Sequence, residues 1–384
     1  MVGVAGAWLA LLGSMARHVR LTPRLEMGRE NSETPLVSVI LPARNEEAYI
    51  GRCLRTLSDQ DYPEYEVVAV DDSSEDSTGD IIRECAAADP RIVPVAARPK
   101  PDGWMGKNWA CMEGYAKARG RLLLFTDADT AFAPGVISAA VRGLLSDRLD
   151  ALTAIPRIRA NDFLTKVTLP VLSTFLHTRF SALRVNDPKK KTGYFFGSFF
   201  MMHREVYEAV GTHEGVRHEI IEDGALGRKV KEAGCRLRMV LADEHIDAVW
   251  ARDGRTLWNG LKRLIVPLYL QSAGITAGIL AAVAFLLFLP FPLAAYSMVL
   301  DAGLSSTVLA AASSSASLLA LCGAAAETRI LRIGLPYCLA CPLGGAVITA
   351  GFLAGALRAR GSNSVSWRGR AYTLSDFSHR FVDV

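Results

Sequence analysis

Charge is nearly missing from the last quarter of this chain. Of 384 residues 21% are charged, yet the 94 positions from 264 to 357 hold only Asp301, Glu327, Arg329 and Arg332. Charge-free runs cover residues 264–300, 302–326 and 333–357, each longer than the roughly 20 residues a membrane-spanning helix needs. Three such runs argue against a soluble core and predict three candidate spans. Cysteine is also scarce. Seven cysteines at irregular spacings exclude a disulfide framework and a paired zinc motif, and they agree with a reducing compartment. Cys338 and Cys341 form a C-x-x-C inside an apolar run, where they read as small helix-packing residues. A net charge of only +4 with 50% hydrophobic residues excludes extended disorder and a polyanion-binding tail, so no nucleic-acid partner is expected.

A shorter apolar stretch, residues 2–15, is followed by Arg17, His18 and Arg20 and reads as an anchor or interfacial helix without a cleavage site. Arg17 and Arg20 precede the charged part of the chain, and Lys262 and Arg263 follow it. By the positive-inside rule that part lies in the cytoplasm of a multi-pass protein of the cell membrane.

From Pro35 onward short apolar runs alternate with amphipathic stretches. A strand over residues 36–41 is followed by Pro42-Ala43-Arg44-Asn45, with Asn45 as expected N-cap of a helix whose first turn holds Glu46 and Glu47. The pattern repeats with a strand at 67–70, the turn Asp71-Asp72-Ser73-Ser74 and a helix from Ser77. A strand near 92–95, a helix after Lys107 and a strand at 122–125 complete it. This alternation predicts an α/β fold with a mostly parallel, Rossmann-like sheet, in which ligands bind beyond the carboxyl ends of the strands. Those ends carry Arg44-Asn45, Asp71-Asp72 and Asp127-Ala128-Asp129, polar and acidic groups converging on one site.

Asp127 and Asp129 follow an apolar strand two residues apart, and residues i and i+2 of an extended chain face the same way. Hard oxygen ligands of this kind suit Mg²⁺ or Mn²⁺ and leave positions for phosphate oxygens and water. Glu222 and Asp223 open a helical stretch, where acids favour the dipole. Gly103-Trp104-Met105-Gly106-Lys107-Asn108 supplies glycines for close backbone approach and a lysine able to meet a phosphate.

The ordered set resembles the family-2 glycosyltransferases of GT-A fold. It runs from Val37-Ser38-Val39-Ile40-Leu41-Pro42-Ala43-Arg44-Asn45-Glu46-Glu47 through Val70-Asp71-Asp72-Ser73-Ser74 and Asp127-Ala128-Asp129. It continues with Gly197-Ser198-Phe199-Phe200 and Glu222-Asp223, and spans residues 35–249. The resemblance implies a nucleotide-diphosphate sugar donor held by Pro42, Arg44, Glu46, Asp71, Asp72, Lys107 and Asp127. Asp72 would lie near the base or ribose, Asp127 near the ribose, and Asp129 with Asp127 at the metal. It also implies Gly197, Ser198 and Phe199 on the acceptor side, with Glu222 and Asp223 catalytic and Asp223 the general base. The loop at residues 103–108 looks like that of membrane-bound members acting on polyisoprenoid-type lipids, including carotenoid- and hopanoid-associated enzymes.

One departure bears on processivity. Cellulose and hyaluronan synthases carry Gln-x-x-Arg-Trp after the acidic pair, whereas this chain reads Arg252-Asp253-Gly254-Arg255-Thr256-Leu257-Trp258. The expectation is therefore inverting transfer of a single sugar to a membrane lipid, through a hydroxyl because a base is present. Arg252, Arg255 or Arg263 would serve the diphosphate. The alternatives are a polyprenyl-phosphate or polysaccharide glycosyltransferase of the same fold, and a non-catalytic membrane protein with a degenerate domain. Nucleotidyl transfer is disfavoured by the absence of a glycine-rich loop after the first strand.

The expected division is an anchor and linker at 1–34, a GT-A domain at 35–255 and an interfacial helix at 256–271 with Trp258, Leu261, Ile265 and Leu268 on one face. Apolar spans follow at 272–357 and a basic tail at 358–384. Residues 163–183, interrupted by Pro170, read as core or as an acceptor entrance, and Lys189-Lys190-Lys191 as a solvated loop. Three spans would leave the tail across the membrane from the catalytic domain. Yet Arg358, Arg360, Arg368 and Arg370 make it basic, and Trp367-Arg368-Gly369-Arg370-Ala371-Tyr372 resembles a segment after the last span of related lipid glycosyltransferases. Either one run is re-entrant or interfacial, or the longest crosses twice.

Overall fold

The computed structural model describes residues 1–28, 33–177, 180–299, 303–361, 364–367 and 370–373. Asp301, Arg368, Gly369 and Val384 lie outside them. The strands are β1 (Val37–Ala43), β2 (Tyr65–Asp71), β3 (Ile92–Ala96), β4 (Leu122–Phe125), β5 (Thr130–Phe132), β6 (Ala151–Ile155), β7 (Arg157–Ala160), β8 (Phe200–His203), β9 (Leu237–Leu241), β10 (Ile246–Ala251), β11 (Ser364–Trp367) and β12 (Arg370–Thr373). A seven-stranded sheet runs β3-β2-β1-β4-β8-β6-β9, beside a three-stranded sheet β5-β10-β7 and a hairpin β11-β12.

Within the large sheet only β8 pairs antiparallel, with Phe200 opposite Phe125 at the carboxyl end of β4. The Gly197-Ser198 approach to β8 therefore opens at the same edge as Asp127 and Asp129. Both faces of the sheet are apolar. Val37, Val39 and Leu41 point into one core with Leu122 and Leu124, while Ile40, Leu123 and Phe125 point into another, where Phe125, Phe200 and Phe195 stack. Burial on both faces is why these strands read as continuous apolar runs.

The helices are α1 (Val2–Leu21), α2 (Ile50–Ser58), α3 (Thr78–Ala88), α4 (Gly106–Tyr115), α5 (Val136–Ser146), α6 (Phe163–Ser173), α7 (Ala182–Val185), α8 (Arg204–Ala209), α9 (Glu222–Glu232), α10 (Gly254–Gln271), α11 (Ala273–Val283), α12 (Pro290–Ser297), α13 (Leu304–Ile330) and α14 (Cys341–Gly361). Three helical stretches, Val2–Leu21, Leu304–Ile330 and Leu335–Arg360, are long and apolar enough to cross a membrane. A fourth is the pair Ala273–Phe288 and Pro290–Ser297, bent by 53°. A π-helical turn and Pro290 stand at that bend and account for it.

Several expectations are corrected. The first helix does not start at Asn45. Asn45 adopts a left-handed conformation (φ 54°) and accepts the Glu75 N–H, so α2 opens only at Ile50. The short N-terminal run is a full 20-residue helix, with Trp8 buried against α13. The face that α10 buries is Leu257, Leu261 and Ile265, against α14, while Trp258 is only half-buried; the side chain of Leu268 lies outside the described residues. Close approach there is set by Gly351 and Gly355, where a Cβ would stand 2.8 Å from the Leu261 Cβ and 2.4 Å from the Lys262 carbonyl oxygen. Helix α6 keeps Pro170 inside it and packs on α13 and α14, with Leu169 and Leu172 lining the cavity described below.

Candidate active site

A single cavity of 1290 Å³ reaches from the carboxyl edge of the large sheet into the helical layer. Asp72, Lys107, Asp127, Asp129, Asp223 and Arg252 line its polar part, and Leu169, Leu172, Ile279, Val283 and Phe352 its apolar part.

Asp127 and Asp129 leave β4 as expected, and Thr126 fixes the turn by donating to the Ser198 carbonyl oxygen at 2.7 Å. Glu222 and Asp223 occupy the first turn of α9. What brings the two acidic pairs together is Lys107. Its Nζ lies 2.7 Å from Asp127 and 2.5 Å from Glu222. Lys107 is aimed by its neighbour Asn108, a fully buried residue whose amide donates to the Val216 and Glu219 carbonyl oxygens just ahead of α9. The carboxylates around it hold the Lys107 ammonium charged against burial.

Gly197 leaves room for this cluster. A Cβ there would stand 2.8 Å from Asp223 Oδ2, 3.1 Å from Asp127 Oδ2 and 3.1 Å from Lys107 Nζ. Burial, then the adjoining Glu222 carboxylate, hold Asp223 above the ordinary carboxylate range, with Lys107 pulling the other way. Burial and the Asp127 charge likewise push Asp129 up.

Asp127 and Asp129 fit a hard divalent cation. They face one cavity, and burial with the repulsion of the Asp127 charge raises Asp129 more than Arg252 and Lys107 lower it, an imbalance that a bound cation would relieve. Among the described residues no third His, Cys, Asp or Glu completes a cage, which leaves coordination to phosphate oxygens and water.

Of the other expected residues, Pro42, Arg44, Glu46 and Ser198 line the cavity. Arg44 donates to the Asp72 and Ser73 carbonyl oxygens and holds that turn, and the buried Glu46 carboxylate pairs with Arg252. Asp71 and Phe199 are not at the site. Asp71 Oδ1 accepts the Ser74 N–H and caps the turn, because its side chain leaves the strand on the side away from the cavity lining. Phe199 is fully buried against Phe132, since alternation along the chain entering β8 turns it into the core. Arg252 and Arg263 reach the cavity, whereas Arg255 is exposed outside it. Lys191 is exposed, as expected of a solvated loop, and also lines the cavity.

Sequence reasoning missed Tyr194, which packs against Gly224 beside Asp223 and meets the Phe180 ring at a tilt of 36°. It also missed Arg370. That arginine donates from both terminal nitrogens to Asp72, at 2.5 and 3.0 Å. The tail motif was the available signal, but nothing in it names Asp72 as partner.

The model of glycosyl transferase family 2 matches residues 38–211. The chain carries a family-2 glycosyltransferase domain. Among curated proteins it is similar to the probable glycosyltransferase YdaM of Bacillus subtilis (strain 168), 32% identical over 150 residues, 36% of each chain. It is also similar to the 4,4′-diaponeurosporenoate glycosyltransferase of Staphylococcus haemolyticus, 29% identical over 209 residues, 52% of each chain. The matched segments thus span between about a third and a half of these relatives. Among solved structures, a mannosyltransferase from Pyrobaculum calidifontis in complex with GDP-Man and Mn²⁺ aligns with a TM-score of 0.52 at 18% identity. The alignment covers 94% of this chain and 99% of that one, a likeness of fold. The family-2 domain therefore has the GT-A fold, joined to apolar helices.

Proposed function

We propose that the protein is a metal-dependent, inverting glycosyltransferase that moves one sugar from a nucleotide-diphosphate sugar to a hydroxyl of a membrane lipid. One observation carries the reading: a single cavity has Asp223 beside Asp127 and Lys107 in its polar part and is walled by apolar side chains of the helical layer elsewhere. The polar part suits a nucleotide sugar and the apolar wall a lipid. Relatives named for 4,4′-diaponeurosporenoate fit an acceptor of that kind.

In the proposed mechanism Asp223 takes the proton of the acceptor hydroxyl as its oxygen attacks the anomeric carbon. Attack opposite the departing diphosphate inverts that carbon. Lys107 places positive charge where the leaving group gains negative charge, and Arg252 and Arg263 stand along the same cavity. Asp127 and Asp129 would hold the divalent cation, Mg²⁺ or Mn²⁺, which when bound neutralises diphosphate charge. We place the domain on the cytoplasmic face of a multi-pass protein of the cell membrane, from the basic residues flanking it.

Membranes containing the protein, incubated with a panel of nucleotide sugars and then extracted, test this directly. A lipid heavier by one sugar is expected. No labelled lipid with any donor, or a ladder of sugars, would overturn single transfer to a lipid.

A further inference from the structure

The contact between Arg370 and Asp72 joins residues 298 positions apart. Asp72 is buried (4% exposed) in the turn after β2, which Arg44 fixes through the Asp72 and Ser73 carbonyl oxygens. Its carboxylate therefore needs a donor. The guanidinium of Arg370, at the first position of β12, supplies two and lies at the cavity wall beside Asp72. Glu46, the second buried carboxylate in this part of the cavity, is likewise covered by an arginine from beyond the family-2 match, Arg252. The part of the cavity read as the donor site is thus closed over by guanidinium groups resting on its own acids.

A nucleotide changes what those acids face. Its ribose or base brings hydroxyl or N–H donors that replace a guanidinium on a carboxylate, and its diphosphate brings acceptors that match a guanidinium fork. We propose that Arg370 is a donor-binding residue, resting on Asp72 when the site is empty and transferring its two-pronged contact to the diphosphate when a nucleotide sugar takes Asp72. The C-terminal hairpin β11-β12 is then part of the donor site, and a chain lacking it has an incomplete one. This rests on the reading of the cavity as a nucleotide-sugar site.

The test uses the full chain in lipid nanodiscs with Mn²⁺, titrated with UDP, GDP, UMP and GMP. Arg370→Ala should weaken the preferred nucleoside diphosphate by about tenfold or more while leaving the matching monophosphate within about twofold, since Asp72 is freed for the nucleoside as the diphosphate loses its fork. Arg370→Lys, which keeps the charge and the fold but not the fork, should fall between. An unchanged diphosphate affinity overturns the proposal. So does an equal loss for mono- and diphosphate, which marks a latch that only holds the hairpin down. If the wild-type chain binds neither diphosphate, the nucleotide-sugar reading itself falls, an outcome distinct from both.

Discussion

Asp223 and Glu222 are adjacent in sequence, yet their surroundings separate their roles. Glu222 is buried and tied to Lys107, while Asp223 stands across Gly197 from Asp127 and accepts only its neighbour Gly224 N–H at 2.8 Å among the described hydrogen bonds. Asp223→Asn should therefore lower transfer by about 10²–10⁴-fold, with nucleotide affinity nearly unchanged. The same burial sets a pH profile. A base must be ionised to act, and Asp223 is held above the ordinary carboxylate range. The acid limb of kcat should lie well above pH 4, and a limb at the ordinary aspartate value would remove Asp223 as the base.

Asp129 makes the complementary case for stability. Its folded pKa lies above its unfolded one, so its contribution to stability is complete below the unfolded value and is lost as pH rises through the folded value. Without metal, Asp129→Asn should raise Tm at pH 8 by about 2–4 °C for each kcal/mol regained, and change it little at pH 4. The variant should also lose the Tm gain that Mn²⁺ gives the wild type. A lower Tm at pH 8 would refute the idea that this carboxylate waits for a cation.

At the scale of elements, the placement of Asp223 depends on two glycines that carry no chemistry. A Cβ on Gly193 would stand 2.0 Å from the Gly227 carbonyl oxygen, and one on Gly227 would stand 2.7 Å from the Phe195 N. The segment at 193–195 thus lies directly on α9, one turn beyond the acidic pair. Gly227→Ala must part them, at about 1–3 kcal/mol for an overpacked contact. The expected result is a fall in kcat with little change in donor affinity, because the site of Asp72 and Arg44 is held by other elements; an unchanged kcat would show that α9 is positioned otherwise. The contrast explains what was legible in the chain. Strand-end acids announce themselves, because an apolar run that stops on Asp127 has one reading. Gly193, Gly227 and Asn108 act through contacts with distant segments, and local pattern says nothing of those. Asn45 misled for a related reason: a good N-cap residue next to two glutamates was claimed instead by the turn after β2, through the Glu75 N–H. Phe199 lay inside a motif whose neighbours reach the cavity, but alternation sends it to the core.

For the whole molecule, the unsettled matter from the sequence was parity, and side chains before and after the last apolar stretch bear on it. Arg332, just past α13, pairs with Glu244 at 3.4 Å, in the loop between β9 and β10, and Arg24, just past α1, pairs with Asp243 in that loop. The carboxyl ends of α1 and α13 therefore meet the catalytic domain on one side. Arg370, beyond α14, meets Asp72 on that same domain. Contacts with the domain thus stand just before the stretch at 335–360 and beyond it, and we propose that it does not cross, although its length and composition would allow it. Its contacts agree. Gly344 presses on the Val167 carbonyl oxygen of α6, and Gly355 on the Lys262 carbonyl oxygen of α10, helices that lead directly out of the domain. On this proposal the bent pair of α11 and α12 carries the chain across, and α13 returns it. We predict that a reporter fused at Val384 and a cysteine placed at Gly334 report the same side as the catalytic domain, while a cysteine at Val299, 81% exposed before α13, reports the opposite side. A Val384 reporter on the side opposite the domain, with Gly334 on the domain's side, would restore α14 as a span and detach Arg370 from Asp72. The cavity would then lose one of its walls, since the tail arginine that lines it would stand across the bilayer from the nucleotide site.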